Sequence, residues 1–573
     1  MGRDRRRAGQ SLWDGSALAA SVVDRRRLLK LGAAALVGCA GGSSHGPGSG
    51  EKLDAGGDSG KPDGDTGTDT GSPPNTDGTC GPGASTVAGD TTGPRTGSFA
   101  STPFLLGVAS GDPLHDRVVI WTRLVVEPTD VASTPVDEVD VIWEVSTTED
   151  FAEVLFTGMV ATGPDVGHSV HVDVDGLDSD AVYWYRFVLG EFTSPIGRTR
   201  TLPCVDAQPE LWRMGFATCQ NWLTGFYAAH RSMAEQKLDL IVFLGDYIYE
   251  GGNAGPVRDH GSSEPTTLEG YRNRHGLYRS DPDLQACHAS APWVVIQDDH
   301  EVDNNYTGVL WRSAEDTRAR LAAAYQAWWE HMPVRVRPQP DGSVETQRSL
   351  HIGTLAQVVV LDGRQYRDDQ PCGDVIGPRC DEADDDRAFL GAEQEAWLDE
   401  VIAENGPKWT IVGSPVVMLP MDFGGAFLNP DQWDGYPAAR QRFIDAFDTH
   451  SPDTHVVVFS GDIHCSGWGW VPADPFVPDG AARLSEVIVT PISSIISDDR
   501  FVSLAGVLAA QPHIGWFDAT HNGWVEAELS EEEIQVRYWS VVDITSPSSP
   551  VEVFRELLLT RGTVPAYDPL EGG

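Results

Sequence analysis

The sequence predicts a layered α/β body preceded by a small β-sandwich, and three observations carry that prediction. Across residues 100–205 apolar and polar side chains alternate over short runs, as in Arg117-Val118-Val119-Ile120-Trp121-Thr122 and Ser169-Val170-His171-Val172-Asp173-Val174, with Asp/Gly turns between them. That period of two belongs to half-buried strands. From Trp212 onward the apolar runs become continuous, as in Leu240-Ile241-Val242-Phe243-Leu244 and Val456-Val457-Val458-Phe459, and alternate with helical patterns over 316–331 and 391–404. Such strands are covered on both faces, which requires helical layers outside the sheets. Strand-like alternation returns over 523–559.

Taken in chain order, residues 1–38 read as an export leader rather than as fold. Asp24-Arg25-Arg26-Arg27-Leu28-Leu29-Lys30 has a twin-arginine pattern, and the apolar run Leu31–Val37 that follows it is too short to span a bilayer. Leu36-Val37-Gly38-Cys39 fits a lipobox with Cys39 as the lipidated residue, the alternative being a plain signal-peptidase cut. Residues 39–99 are Gly, Ser, Thr, Asp and Pro with few apolar side chains, the composition of a disordered tether. The sandwich is expected over 100–205, where Leu177–Arg186 resembles a fibronectin-like strand with its tyrosine corner. The α/β body is expected over 206–560, with a tail at 561–573.

Four polar clusters stand at the ends of strand-like runs: Cys219 in Phe-Ala-Thr-Cys-Gln-Asn, Asp246 and Tyr249 in Gly-Asp-Tyr-Ile-Tyr-Glu, Asp298-Asp299-His300-Glu301, and Asp462 and His464 in Ser-Gly-Asp-Ile-His. Open α/β sheets place ligands at such ends. Carboxylates, imidazoles, a phenol and a thiol mix hard and softer donors, so two unlike ions fit better than one structural zinc. Thiolate and phenolate suit ferric iron, whereas Asp299 and Asp462 suit an oxygen-preferring ion such as calcium. Adjacent cations of this kind hold a phosphate and generate a nucleophile near neutral pH, the chemistry of phosphoester hydrolysis. Each residue also has a plainer reading. Cys219 is also read as a buried thiol, Tyr247 as core, Arg364 as an ion-pair partner of Asp362, Asn304 and Asn305 as loop caps, and His513 and His521 as structural histidines.

Together these motifs resemble the alkaline phosphatase D (PhoD) family of calcineurin-like metallophosphoesterases, and the likeness extends over residues 100–555. Phe104–Pro113 is similar to the start of the family's amino-terminal domain, and segments 277–285, 298–306, 361–367 and 390–395 follow in family order. The resemblance implies a double β-sheet sandwich flanked by helices. It implies a bridging Asp246, with Cys219 and Tyr249 on Fe³⁺, Asp299 and Asp462 on Ca²⁺, and His464 on the centre, while leaving zinc and other divalent metals as alternatives. His300 aligns with the histidine that protonates the leaving group, and Arg364, Asn221 and Asn305 are assigned to the phosphate. Gln297 and Gly363 depart from the aromatic residue and threonine usual at those places. The implied activity is hydrolysis of organic phosphate mono- or diesters by direct attack of metal-activated hydroxide. A phosphodiesterase or phospholipase D-like hydrolase is the near alternative, and a surface-tethered binding protein without catalysis the distant one.

Charge and cysteine usage agree with export, and the exported chain is expected to be a monomer. The formal charge is −44, and removal of residues 1–38, which carry 8 basic and 3 acidic residues, leaves −49. So acidic a surface excludes nucleic acid as a partner, and phosphate must be held by metals and local arginines. Contact with a membrane is expected only through the lipid on Cys39, after passage through the twin-arginine machinery to the cell envelope. Cys372 and Cys380 bracket a Gly/Pro loop and are expected to bridge in an oxidising compartment. Cys204, Cys287 and Cys465 read as buried thiols, with a Cys80–Cys204 bridge as the alternative.

Overall fold

Two large sheets carry the molecule. The computed structural model describes residues 94–562 except 136, 340–341, 404–405, 422–425, 475–476, 478–479 and 496–504. The leader, Cys39, Cys80, nearly all of the tether and most of the 561–573 tail lie outside the described residues. The nine-stranded sheet runs, edge to edge, Val551–Thr560, Glu533–Val541, Gly523–Leu529, Trp212–Ala217, Leu240–Phe243, Pro292–Val295, Val108–Gly111, Arg117–Arg123 and Ser169–Asp175. The seven-stranded sheet runs Arg348–Ile352, Ala356–Val360, Trp409–Ser414, His455–Ser460, Ala482–Ile488, Ser466–Pro472 and Ile514–Asp518. Both have a parallel centre and antiparallel margins.

The continuous apolar strands are explained by what covers each face. Leu240 and Val242 pack toward the second sheet with Val457 and Phe459, where the rings of Phe216 and Phe459 stack at 3.7 Å. Their neighbours Ile241 and Phe243 point the other way, into a core with Tyr271, Tyr278, Leu321 and Trp328 from the helices Leu268–Arg279 and Glu315–His331. On the second sheet Val456 and Val458 meet Leu398, Phe443 and Phe447 from the helices Gly391–Ile402 and Pro437–His450. Alternation is present in these strands, but both of its faces are apolar. Helix starts follow local rules. Thr267 accepts from Gly270 N at the head of Leu268–Arg279, and Asp281 caps Pro282–His288, with proline at the first turn.

A five-stranded sheet holds Val154–Thr162, Val139–Ser146 and Val182–Leu189, with Phe192–Thr193 and Gly197–Arg200 both paired to Val182–Leu189. Its Val141, Trp143, Tyr185 and Phe187 share a core with Val118, Ile120, Val170 and Val174. Those last four stand on strands of the nine-stranded sheet. The segment expected as a self-contained sandwich therefore lends three strands to the main body, joined where Val108–Gly111 pairs in parallel with Pro292–Val295. Gly111 makes the join possible, since a Cβ there would sit 2.5 Å from Trp293 O and 2.4 Å from Pro333 O.

Cys372 and Cys380 are joined by a disulfide. Cys204 is also disulfide-bonded, which corrects its reading as a thiol, while Cys219, Cys287 and Cys465 are free and buried. Among the described residues no helix is long and apolar enough to cross a membrane.

Candidate metal centre

The four clusters converge because each follows a parallel strand and turns sharply off it. Cys219 follows Trp212–Ala217, Asp246 follows Leu240–Phe243, Asp298 and Asp299 follow Pro292–Val295, and Asp462 and His464 follow His455–Ser460. Cys219, Asp246, Asn305, Asp462 and His464 have φ of 56°, 59°, 55°, 68° and 54°. Left-handed backbone at non-glycine residues costs of order 1–3 kcal/mol each and gathers at functional sites. Gly245, at φ 104°, lets the second strand end approach the third, for a Cβ there would lie 2.4 Å from Asp298 Cβ.

Three overlapping donor groups result among the described residues, and Asp246 stands in two of them. Cys219, Asp246 and His464 bring one ligand atom each to within 4.8 Å of one another, as do Asp246, Asp299 and His300, and Asp298, Asp299 and Asp462. Tyr249 joins the first group, its hydroxyl 2.6 Å from Asp246 Oδ2 and 2.9 Å from His464 Nε2. One side thus offers sulfur, nitrogen, phenol and carboxylate, and the other carboxylates with a nitrogen of His300 at their edge. His464, left unassigned between the ions by sequence, lies on the Cys219–Tyr249 side. Asp246 Oδ1 and Asp298 Oδ2 are buried with no hydrogen-bond partner. Orphaned carboxylate oxygens facing other carboxylates fit bound cations.

A surrounding layer holds these groups in place. Ser494 Oγ lies 2.7 Å from the Tyr249 hydroxyl, and Gln432 Nε2 donates to Asp462 Oδ2 at 2.5 Å. Asn305 N donates to Asp299 Oδ2 at 2.7 Å while its Nδ2 donates to Asp374 Oδ2 at 2.7 Å, so a residue of the disulfide loop steadies Asp299 through Asn305. Asn221 Oδ1 accepts from Leu223 N at 3.0 Å, a turn within its own loop. His300 Nδ1 sits 2.7 Å from Glu250 Oε2. Arg364 is fully buried. Its Nε reaches Asp298 and its Nη1 Asp431, leaving Nη2 facing Asp299 at 3.8 Å and Asp462 at 3.6 Å. The fork expected to clamp phosphate therefore holds carboxylates. Its partners are Asp298 and Asp431, whereas Arg364 reaches Asp362 through its backbone N–H and not through its guanidinium. Tyr247 packs against Phe243, His513 Nε2 donates to Pro420 O, and His521 pairs with Asp518, all as structural residues.

Electrostatics match a site built for positive charge. Burial, with Asp299 and Asp431 adding to it and Arg364 opposing, pushes Asp462 up to about 8. Burial also lifts Asp298 well above the carboxylate range, whereas at Asp299 the Arg364 charge, His300 and the Asn305 N–H overcome burial and lower it. Burial and then the Asp246 charge push both the Cys219 thiol and the Tyr249 phenol well above their usual values. Groups so placed would release their protons on binding a cation.

Comparison with known proteins places this geometry in a family. The model of the PhoD-like phosphatase family matches residues 214–538, and that of its N-terminal domain matches residues 90–203. The chain belongs to the PhoD-like phosphatase family. It is 39% identical over 469 residues to alkaline phosphatase D of Bacillus subtilis (strain 168), covering 79% of this chain and 80% of that protein. It matches a solved structure of PhoD with a TM-score of 0.78 at 37% identity, covering 83% of this chain and 94% of that one.

Several residues of this PhoD-like centre escape sequence reasoning. Asp298 and Glu250 stand inside the quoted motifs but were given no role. Ser494 follows the apolar run Val487–Val489 at a distance, a weaker signal of the same kind as the others. Asp431 and Gln432 lie in an irregular loop whose only mark is Asn-Pro-Asp-Gln.

Proposed function

We propose that this PhoD-like chain works as an exported hydrolase of organic phosphate mono- and diesters, with Fe³⁺ at Cys219, Asp246, Tyr249 and His464 and Ca²⁺ at Asp299 and Asp462. The chain is a phosphoric ester hydrolase. The observation that carries the two-ion reading is the pairing of a mixed S/N/O donor group with a carboxylate-rich group beside one partly unpartnered Asp246. Bound there, the cations would supply charge against the phosphoryl oxygens and acidify the attacking water. The chain's own residues do the rest. His300, oriented by Glu250, holds the proton for the leaving oxygen; Gln432 and Asn305 fix Asp462 and Asp299; Arg364 positions Asp298 and offsets the carboxylates. The purified enzyme is expected to be coloured by charge transfer, and Tyr249→Phe should shift or remove that band while calcium chelation abolishes turnover reversibly. Full activity in a colourless zinc protein would sink the metal assignment. Matched mono- and diester substrates decide between phosphatase and phosphodiesterase action. Absence of metal in protein purified without chelator would instead favour a binding protein.

The same proposal takes in location and domains. It has a twin-arginine lipoprotein leader at 1–38, a tether at 39–99, the amino-terminal domain at 100–205 and the catalytic domain at 206–560. A fibronectin-like ancestry for the small sheet is supported by Asp178 N donating to Tyr183 OH at 2.8 Å, a tyrosine-corner contact. As a lipid-anchored monomer, the protein should lose membrane association but keep activity in Cys39→Ala. A wholly soluble exported parent would reject the anchor.

A further inference from the structure

Behind the metal centre, the helix Leu268–Arg279 ends on a guanidinium that pairs with no carboxylate among the described residues. Arg279 is fully buried, and its Nε, Nη1 and Nη2 have no hydrogen-bond partner among the described residues. Its guanidinium lies over the Trp121 ring at 4.3 Å. Polar groups near its charge are little better served. Tyr185 OH and Ser110 Oγ stand beside one another with no further partner, and both ring nitrogens of His275 and Nδ1 of His288 are buried without partners. Tyr247, beside the Arg279 guanidinium, packs against both imidazoles, its ring 6.2 Å from that of His275 and 5.8 Å from that of His288, and its hydroxyl reaches His288 Nε2 at 2.8 Å.

The local charge is one-sided. Burial and then the charges of Arg123, Arg279 and Arg274 lower His275 to about 3, so the imidazole is neutral and presents one N–H. The nearest acid in sequence, Asp281, gives its carboxylate to Arg258 and to the first turn of Pro282–His288. Arg279 thus carries five donors, no carboxylate and a proton it cannot lose. An unpaired buried charge is among the costliest arrangements a fold can contain. The hydroxyls of Tyr185 and Ser110 and the imidazole N–H add further donors, and what the group lacks is a negative charge. A small monoanion supplies it and accepts from these donors.

We propose that Arg279, Tyr185, Ser110 and His275 form an internal binding site for a small monovalent anion of chloride type. It lies beneath the segment that bears Asp246 and Tyr249, because Tyr247 between them is flanked by His275 and His288. The anion is structural. It neutralises Arg279 and steadies the back of that segment without touching substrate.

The test uses the metal-loaded full chain. In crystals grown with bromide replacing chloride, anomalous diffraction at the bromine edge should show a peak in contact with the Arg279 guanidinium. In solution, Tm should rise saturably with potassium bromide or chloride relative to potassium gluconate at equal ionic strength, and Arg279→Met should abolish the rise. Should Arg279→Met fail to fold, Tyr185→Phe and Ser110→Ala keep the cation and should each raise the halide midpoint about tenfold, the loss expected for one hydrogen bond to a charged group. Ordered water alone at Arg279, or a Tm equal in the two salts, overturns the proposal. Neither readout depends on catalysis, so the anion site and the hydrolase reading fail separately.

Discussion

Asp246→Asn should strip the protein of metal and lower kcat/KM by roughly 10³-fold or more, because several kcal/mol of transition-state charge stabilisation go with the ions. The residue stands in two of the donor groups, and its Oδ1 has no other partner. An amide keeps the shape and one oxygen, so the contact to Tyr249, 2.6 Å from Oδ2, survives, and asparagine tolerates the φ of 59°. What it lacks is the charge and the second ligand oxygen. The metal-free fold should not suffer, since Asp298, Asp299 and Asp462 crowd the same space and one negative charge fewer relieves them. The expected pattern is a metal-free Tm equal to or above the parent's, no rise on adding metal, and loss of turnover. A variant that keeps both ions by elemental analysis would show that Asp246 does not bridge them.

How far the sequence anticipates this molecule depends on whether a feature is local. Leu240–Phe243 and His455–Ser460 are legible as central strands because both faces are buried, which leaves an unbroken apolar run. The ligands just beyond them are legible for the same reason, since a polar residue after such a run stands at the sheet's end. Alternation in Arg117–Arg123 reports which side chains face a core but not which strand lies alongside, so its place in the nine-stranded sheet is a tertiary fact. Arg364 teaches the same lesson in the site. Its chemistry suits phosphate and carboxylate alike, and only the fold brings Asp298 from 66 residues away and Asp431 from 67 to occupy it.

His300→Ala tests the proton rather than the metals. His300 Nδ1 is held by Glu250 Oε2 at 2.7 Å, and Glu250 Oε1 is itself fixed by Asn304 N at 3.0 Å. Although burial disfavours the imidazolium, Glu250, Asp299 and Asp246 raise its pKa well above the usual value, so the ring carries a proton to donate. A general acid contributes about 10²–10⁴-fold, and only where the departing oxygen needs a proton. Alkyl phosphates should therefore lose that much in kcat/KM, while a nitrophenyl ester, whose anion leaves unaided, should lose far less. Glu250→Gln should show the same substrate dependence more weakly, because the ring keeps its place and loses only its charged partner. The structure also sets one His300 nitrogen within 4.8 Å of Asp246 and Asp299 oxygens, close enough to share an ion. Metal content decides between the two roles. Both ions retained with a loss confined to poor leaving groups marks the acid, whereas an ion lost together with activity on every substrate marks a ligand.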